Sequence, residues 1–166
     1  MRDGKTGQAI AGARVSVGEV SSTTSAAGDY SLAGIPEGLP LIVSAAGYDR
    51  TPVTIGPLTT LDVRLYAGNI RAIYIPFYLL TSPNRVRALI DFAWRSGMNG
   101  IVVDIKADDG YIAFASAAPL AREIGAQWSG VMMPLSDVIS LAQQNGLYTI
   151  ARMVVFKDNV LAEARP

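Results

Sequence analysis

The chain has 166 residues, half of them hydrophobic and 17% charged, so it can bury a core and is not disordered by composition. Its 14 basic and 14 acidic residues leave no net charge, which gives no indication of a nucleic-acid partner. The chain has no cysteine or histidine, which excludes disulfides, thiolate or imidazole metal sites and a Ser-His-Asp triad. We therefore predict no metal or cofactor, and acid–base chemistry would fall to Asp, Glu, Lys or Tyr.

The first part of the chain, residues 1–67, is predicted to form an antiparallel β-sandwich. Short runs of alternating character follow one another, and glycine, proline and aspartate turns separate them. The runs cover residues 14–17, 21–24, 30–32, 41–44, 52–55 and 61–65. Many short strands with regularly spaced turns are typical of a sandwich.

Four segments of this part resemble carboxypeptidase regulatory-like domains. They are residues 6–15, 24–32, 34–38 and 43–48, in the order that the family shows. The resemblance implies a transthyretin-like, seven-stranded sandwich that acts as a spacer or accessory domain. Only Met1 and Arg2 remain of the family's first strand, so we expect truncation there and an exposed edge on the neighbouring strand. The alternative role, contact with carbohydrate, would need exposed aromatic side chains.

The second part, residues 68–166, is predicted to alternate between strand and helix. The predicted strands cover residues 71–75, 100–105 and 148–155, a loop covers residues 106–133, and a further helix starts near residues 157–159. Ser82 and Pro83 begin the first helix and Gly97 ends it, while Pro134 and Gly146 bound the second helix. The connections are long enough for parallel crossovers.

The parallel strands could begin either a TIM barrel or a doubly wound sheet. No glycine-rich dinucleotide or phosphate-binding pattern follows any of the strands, which favours the barrel. The predicted fold is therefore two domains. An all-β antiparallel sandwich occupies residues 1–67, and an α/β domain occupies residues 68–166. The α/β domain would hold the first three β-α units of a truncated TIM barrel.

The strand ends of the second part resemble a bacterial glycoside hydrolase family related to the alpha-amylase-type barrel. The matching segments are residues 72–74, 100–110 and 146–158, and residues 161–166 also fit. The resemblance implies a parent enzyme that acts on polysaccharide, located outside the cell or at its surface, with a signal peptide upstream. Such barrels carry the nucleophile and the acid on the fourth and fifth strands. It therefore also implies that the catalytic residues lie downstream and that this fragment is inactive.

Reactive groups of a barrel gather at the C-terminal ends of its strands. That rule selects the candidate substrate-binding residues Tyr78, Asp104, Lys106, Asp108, Arg152 and Lys157, with Asp109 and Asp158 beside them. Strand alternation places Asp104, and with it Lys106, on one face, and predicts that Asp104 pairs with Arg152. Three roles stay open for that pair: a structural ion pair, contact with sugar hydroxyls, or acid–base chemistry by Asp104. Asp108 and Asp109 precede Gly110, where turn formation is a sufficient explanation.

The predicted partner is a polysaccharide or other glycan, without nucleic acid and without membrane insertion. The longest apolar run, residues 72–80, is interrupted by Pro76 and is too short to span a membrane. Trp128 is either a sugar platform or an anchor for its loop. Unpaired strand edges would permit self-association. The alternatives are a non-catalytic carbohydrate-binding or cell-surface interaction protein, and a structural two-domain linker.

Overall fold

The computed structural model describes residues 1–57 and 60–166, and within these ranges it shows an α/β chain with three sheets, four α-helices and no closed barrel. None of the helices in these ranges is long and apolar enough to cross a membrane. The strands of the first part are β1 (Arg2–Asp3), β2 (Arg14–Val17), β3 (Val20–Thr23), β4 (Leu41–Ser44), β5 (Thr51–Val53) and β6 (Arg64–Leu65).

The first part builds two sheets around one hydrophobic cluster. Four strands form an antiparallel sheet in the order β3-β2-β4-β5, and β1 pairs with β6 in a separate parallel sheet. Val15 and Val43 from the larger sheet and Leu65 from the smaller one are fully buried in this cluster. Burial of these apolar side chains is the main force that holds the two sheets together.

Two details of the predicted sandwich are wrong. Residues 30–32 form no strand, and the β1–β6 pair is parallel rather than antiparallel. Tyr30 and Leu32 instead pack their side chains against the cluster, and the Tyr30 hydroxyl donates to the Leu61 carbonyl at 2.8 Å. The alternating pattern at residues 30–32 therefore reflects side-chain burial without a backbone ladder.

The second part contains one parallel sheet with helices packed on one face. Its strands are β7 (Ala72–Ile75), β8 (Gly100–Lys106) and β9 (Tyr148–Met153), with β8 in the centre. Its helices are α1 (Pro83–Arg95), α2 (Pro119–Glu123), α3 (Leu135–Gln144) and α4 (Asn159–Ala164). Ile101 and Val103 of β8 are buried in one cluster with Ile90 of α1 and Val138 of α3. Because side chains alternate along a strand, the side chain of Asp104 lies on the opposite face.

The loops of the second part are more structured than predicted. The loop after β7 is a 3₁₀ helix, Phe77–Thr81, and the loop after β8 contains the short helix α2. Ser82 is the N-cap residue of α1, but its hydroxyl makes no capping hydrogen bond there. Asp158 does cap α4, because its carboxylate accepts from the backbone N–H of Leu161 at 2.9 Å.

The first part contacts the second at the N-terminal end of the parallel sheet. The Trp94 ring of α1 lies beside Arg14 and Arg50, whose guanidinium carbons are 4.8 and 4.4 Å from the ring centroid. Arg14 also donates to Asn145 Oδ1 at 3.2 Å, just before β9 begins. Asn99, just before β8, donates to the Tyr48 carbonyl of the first part at 3.4 Å. The first part is therefore fixed at the end of the sheet opposite to Asp104.

Candidate functional site

Asp104 is the buried centre of a polar group at the C-terminal end of β8. Its side chain is 4% exposed. The Tyr74 hydroxyl donates to Oδ2, the backbone N–H of Phe77 donates to the same oxygen at 3.2 Å, and Nη1 of Arg152 donates to Oδ1 at 2.7 Å. These donors compensate for the burial of the carboxylate. Asp104 and Arg152 are direct partners in the β8–β9 register, so the predicted charge pair is confirmed.

The charges around Asp104 reinforce one another. The hydrogen bond and the negative charge of Asp104 raise the pKa of Arg152, so the guanidinium stays cationic. Burial and then the hydrogen bond to Asp104 raise the pKa of Tyr74, so the phenol stays protonated and can donate. Sequence reasoning did not select Tyr74. Strand alternation contained a signal for it, because Tyr74 is the register partner of Val102, two residues before Asp104.

Lys106 does not continue the face that Asp104 begins. The β8–β9 register shifts between these two residues, so the expectation that both share one face is wrong. The Lys106 ammonium lies 2.8 Å from Asp158 Oδ2 and donates to the Val154 carbonyl at 2.8 Å. Gly110 permits this arrangement, since an added Cβ would lie 2.1 Å from Asp158 Oδ1. Lys106 and Asp158 therefore tie β8 to the start of α4.

The Lys106–Asp158 pair should make stability depend on pH. The hydrogen bond from Lys106 lowers the pKa of Asp158. The stabilisation that the ion pair gives to the folded state is therefore fully present above the ordinary pKa of an aspartate, about 4, and is lost as the pH falls through the lowered pKa. We expect Asp158→Asn, which retains a capping side chain, to cost about 1 kcal/mol at pH 7 and progressively less below pH 4. Urea titrations from pH 7 to pH 2.5 measure this. Asp91→Asn, in the exposed Arg95–Asp91 pair, is the control. If the free energies of unfolding of wild type and Asp158→Asn changed in parallel with pH, the pH dependence could not be assigned to Asp158.

Asp108 and Lys157 form a second, exposed pair at the same end of the sheet. Their charged atoms are 3.1 Å apart, and both side chains are largely open to solvent. Lys157 lowers the pKa of Asp108, and Arg152 makes a smaller contribution in the same direction. Asp109 accepts from the backbone N–H of Tyr111 at 3.1 Å, which is the turn-forming role expected of it. Among the described residues, no group of three or more acidic side chains is placed to hold a metal ion.

Aromatic side chains border the Asp104 group. Trp128 lies 5.5 Å from both Phe77 and Tyr111, ring centroid to ring centroid, with edge-to-face geometry. These contacts tie the loop after β8 to the 3₁₀ helix after β7, which supports the anchoring role for Trp128. Tyr78 follows Phe77 in that helix and is exposed. In the described ranges its hydroxyl makes no hydrogen bond to Asp104 or Arg152.

Residues 72–166 match the family described as "Putative glycosyl hydrolase domain". The chain belongs to this glycosyl hydrolase family. The chain is also similar to a solved structure, the crystal structure of a hypothetical protein from Ruminiclostridium thermocellum ATCC 27405, with 37% identity and a TM-score of 0.52. That match covers 57% of this chain and 48% of the other, so the matched region spans about half of that relative's length. No curated protein matches the chain.

All six candidate residues lie within the region that matches the glycosyl hydrolase family. The structure pairs Asp104 with Arg152 and Asp108 with Lys157, while Lys106 pairs with Asp158 and Tyr78 stands apart. Five of the six, all except Tyr78, thus make direct contacts between the β8 segment and the segment that β9 begins. Their shared location is the C-terminal strand end, where the ligands of parallel α/β sheets bind.

Proposed function

We propose that this chain is part of a glycoside hydrolase that acts on polysaccharide, and that β7–β9 with their helices are the first three units of a TIM barrel. The observation that carries the proposal is the Asp104–Arg152 pair, at the C-terminal ends of adjacent strands in a glycosyl hydrolase family member. Parallel strand order and helices packed against one sheet face support the barrel architecture.

Residues 1–67 would be the accessory β-sandwich domain of the carboxypeptidase regulatory-like type. They have their own hydrophobic cluster, and they contact the second part through Arg14, Arg50 and the Tyr48 carbonyl, which accepts from Asn99. That contact lies at the N-terminal end of the parallel strands, which in barrels contributes stability rather than chemistry. We therefore assign this part a supporting role. An extracellular or cell-surface location, with a signal peptide upstream, belongs to the same proposal.

The candidate residues would have different roles in binding a sugar. Asp104 has both oxygens engaged, so it positions Arg152 rather than protonating a leaving group. Arg152 supplies donors, and the exposed Asp108–Lys157 pair supplies acceptor and donor atoms beside it. Sugar hydroxyls both donate and accept, and the charges of the two pairs cancel, so this mixture suits a neutral sugar and offers no net attraction to an acidic one. Tyr78 would offer an exposed ring, and Lys106 would act indirectly. The catalytic carboxylates would lie outside this chain.

Binding to soluble polysaccharides tests the proposal directly. We expect dextran or xylan to retard the chain in affinity electrophoresis, polygalacturonate to retard it less, and no reducing ends to be released. Arg152→Gln should weaken the binding about tenfold or more, because it removes charged hydrogen-bond donors. Arg95→Gln, at an exposed arginine on α1, is the matched control.

Self-association needs to be separated from glycan binding in that experiment. Met153, Val155 and Phe156 are exposed at and after β9, the outer strand of its sheet, so the same chain could associate there. Sedimentation velocity without glycan measures that association. If none of the polysaccharides retards the wild type, the binding proposal fails. Robust hydrolysis by these residues alone would contradict the proposed inactivity of the fragment.

A further inference from the structure

Tyr74 touches both members of the Asp104–Arg152 pair. Its hydroxyl donates to Asp104 Oδ2 and accepts from Nη1 of Arg152 at 3.1 Å. Its ring also lies against the guanidinium, with the Arg152 Cζ atom 5.4 Å from the ring centroid. One side chain therefore holds Arg152 both through an oxygen atom and through a ring face.

Arg152 keeps donors free for another molecule. Both hydrogens of Nη1 are used, one on Asp104 and one on Tyr74. Within residues 1–57 and 60–166, no hydrogen bond engages Nε or Nη2, and the side chain is 45% exposed. A guanidinium group is planar, so fixing Nη1 and one face also fixes the direction of the remaining N–H groups.

We propose that Tyr74 is a positioning residue, which holds Arg152 so that Nε and Nη2 are directed at the hydroxyls of a bound sugar. This inference rests on the proposed glycan-binding function and adds to it a residue that acts through Arg152. Without the Tyr74 hydroxyl, Arg152 would keep one hydrogen-bonded partner, and its guanidinium could turn about that contact. Ligand binding would then have to order the side chain, which should weaken binding about three- to tenfold.

The test compares Tyr74→Phe with Tyr148→Phe. Tyr148 is a matched control, because it is 44% exposed against 45% for Tyr74, and in the described ranges its hydroxyl makes no side-chain hydrogen bond. The first readout is the ¹⁵N heteronuclear NOE of the Arg152 Nε–H group, assigned by its loss in Arg152→Lys. We expect a high value in wild type and Tyr148→Phe and a lower value in Tyr74→Phe. Cooperative thermal unfolding should be retained in all of them.

The second readout is the affinity for dextran and xylan, which should fall about three- to tenfold in Tyr74→Phe and stay constant in Tyr148→Phe. Tyr74→Leu, which removes the ring as well, should lower both readouts at least as far, and it serves if Tyr74→Phe does not fold. An unchanged Arg152 NOE, or a lowered NOE with unchanged affinity, would overturn the inference while the wild type still binds glycan. If the wild type binds neither polysaccharide, the proposed function itself fails, and the directing role of Tyr74 fails with it.

Discussion

Replacing Arg152 with methionine should lower the free energy of unfolding by about 2–3 kcal/mol, because it leaves the buried Asp104 carboxylate without its counter-charge. A fully buried pair would cost more to break. Arg152 is half exposed, and the Tyr74 and Phe77 donors still reach Asp104, so the expected loss is smaller. Urea unfolding at pH 7, followed by tryptophan fluorescence, measures the change.

Arg95→Met is the control for this substitution. Arg95 pairs with Asp91 at 2.8 Å, nearly the same separation as the 2.7 Å between Arg152 and Asp104, but both partners are exposed. An exposed helical pair of this kind should contribute about 0.5 kcal/mol or less. Adding Asp104→Asn to Arg152→Met should cost less than the sum of the single changes, since it removes the uncompensated charge. If Arg95→Met and Arg152→Met lowered the free energy of unfolding equally, burial of Asp104 would not add to the stabilisation that the Asp104–Arg152 pair provides.

Gly146→Ala should destabilise the chain by about 2–4 kcal/mol, through backbone strain together with a clash at the contact between the two parts. Gly146 follows α3 with φ +65°, and an added Cβ would lie 2.6 Å from the backbone oxygen of Ser44. Ser44 belongs to β4 of the first part, so the methyl group would push the two hydrophobic clusters apart. The clash involves backbone, which cannot rotate away as a flexible side chain could.

Gly97→Ala separates the strain from the clash. Gly97 follows α1 with φ +73°, and nothing lies within 4 Å of the position that its Cβ would take. The free energy of unfolding of that variant should fall by only about 1–2 kcal/mol, which is the cost of placing alanine in the left-handed region. The difference between the two variants, measured in the same urea titrations, reports the contact between the parts. If both variants lost the same free energy of unfolding, the backbone at Ser44 and Gly146 would accommodate the added methyl group without destabilising the chain.

The elements that depend on local pattern could be predicted from the sequence. Helix α1 has apolar residues at helical spacing, a proline at its start and a glycine just beyond its end, and all of these act within one segment of the chain. The strand predicted at residues 30–32 failed because a strand also needs a neighbour, and side-chain burial there requires none. The parallel β1–β6 pairing joins residues more than 60 positions apart, for which no local pattern exists.

The candidate site shows the same division. Asp104 and Arg152 could be paired in advance because the β-α-β-α-β order makes their strands neighbours and alternation selects the face. The register shift after Asp104, which redirects Lys106 to Asp158, has no counterpart in the pattern of residues. Tyr74 was missed because its role depends on atoms from two other strands. A lone tyrosine in a short apolar strand is equally consistent with simple packing.

The sequence by itself determined the three strands of the second part and the helices α1 and α3 between them, the exclusion of cysteine and histidine chemistry, and the charge pair of Asp104 with Arg152. Only the tertiary structure decided which donors surround Asp104 and which face Lys106 occupies. It also decided that Arg14 and Arg50 of the first part pack against the Trp94 ring. The physical reason is the distance along the chain over which each kind of interaction acts. Periodicity, caps and turns act over a few residues, whereas hydrogen bonds and ring contacts join side chains that folding alone brings within a few ångströms.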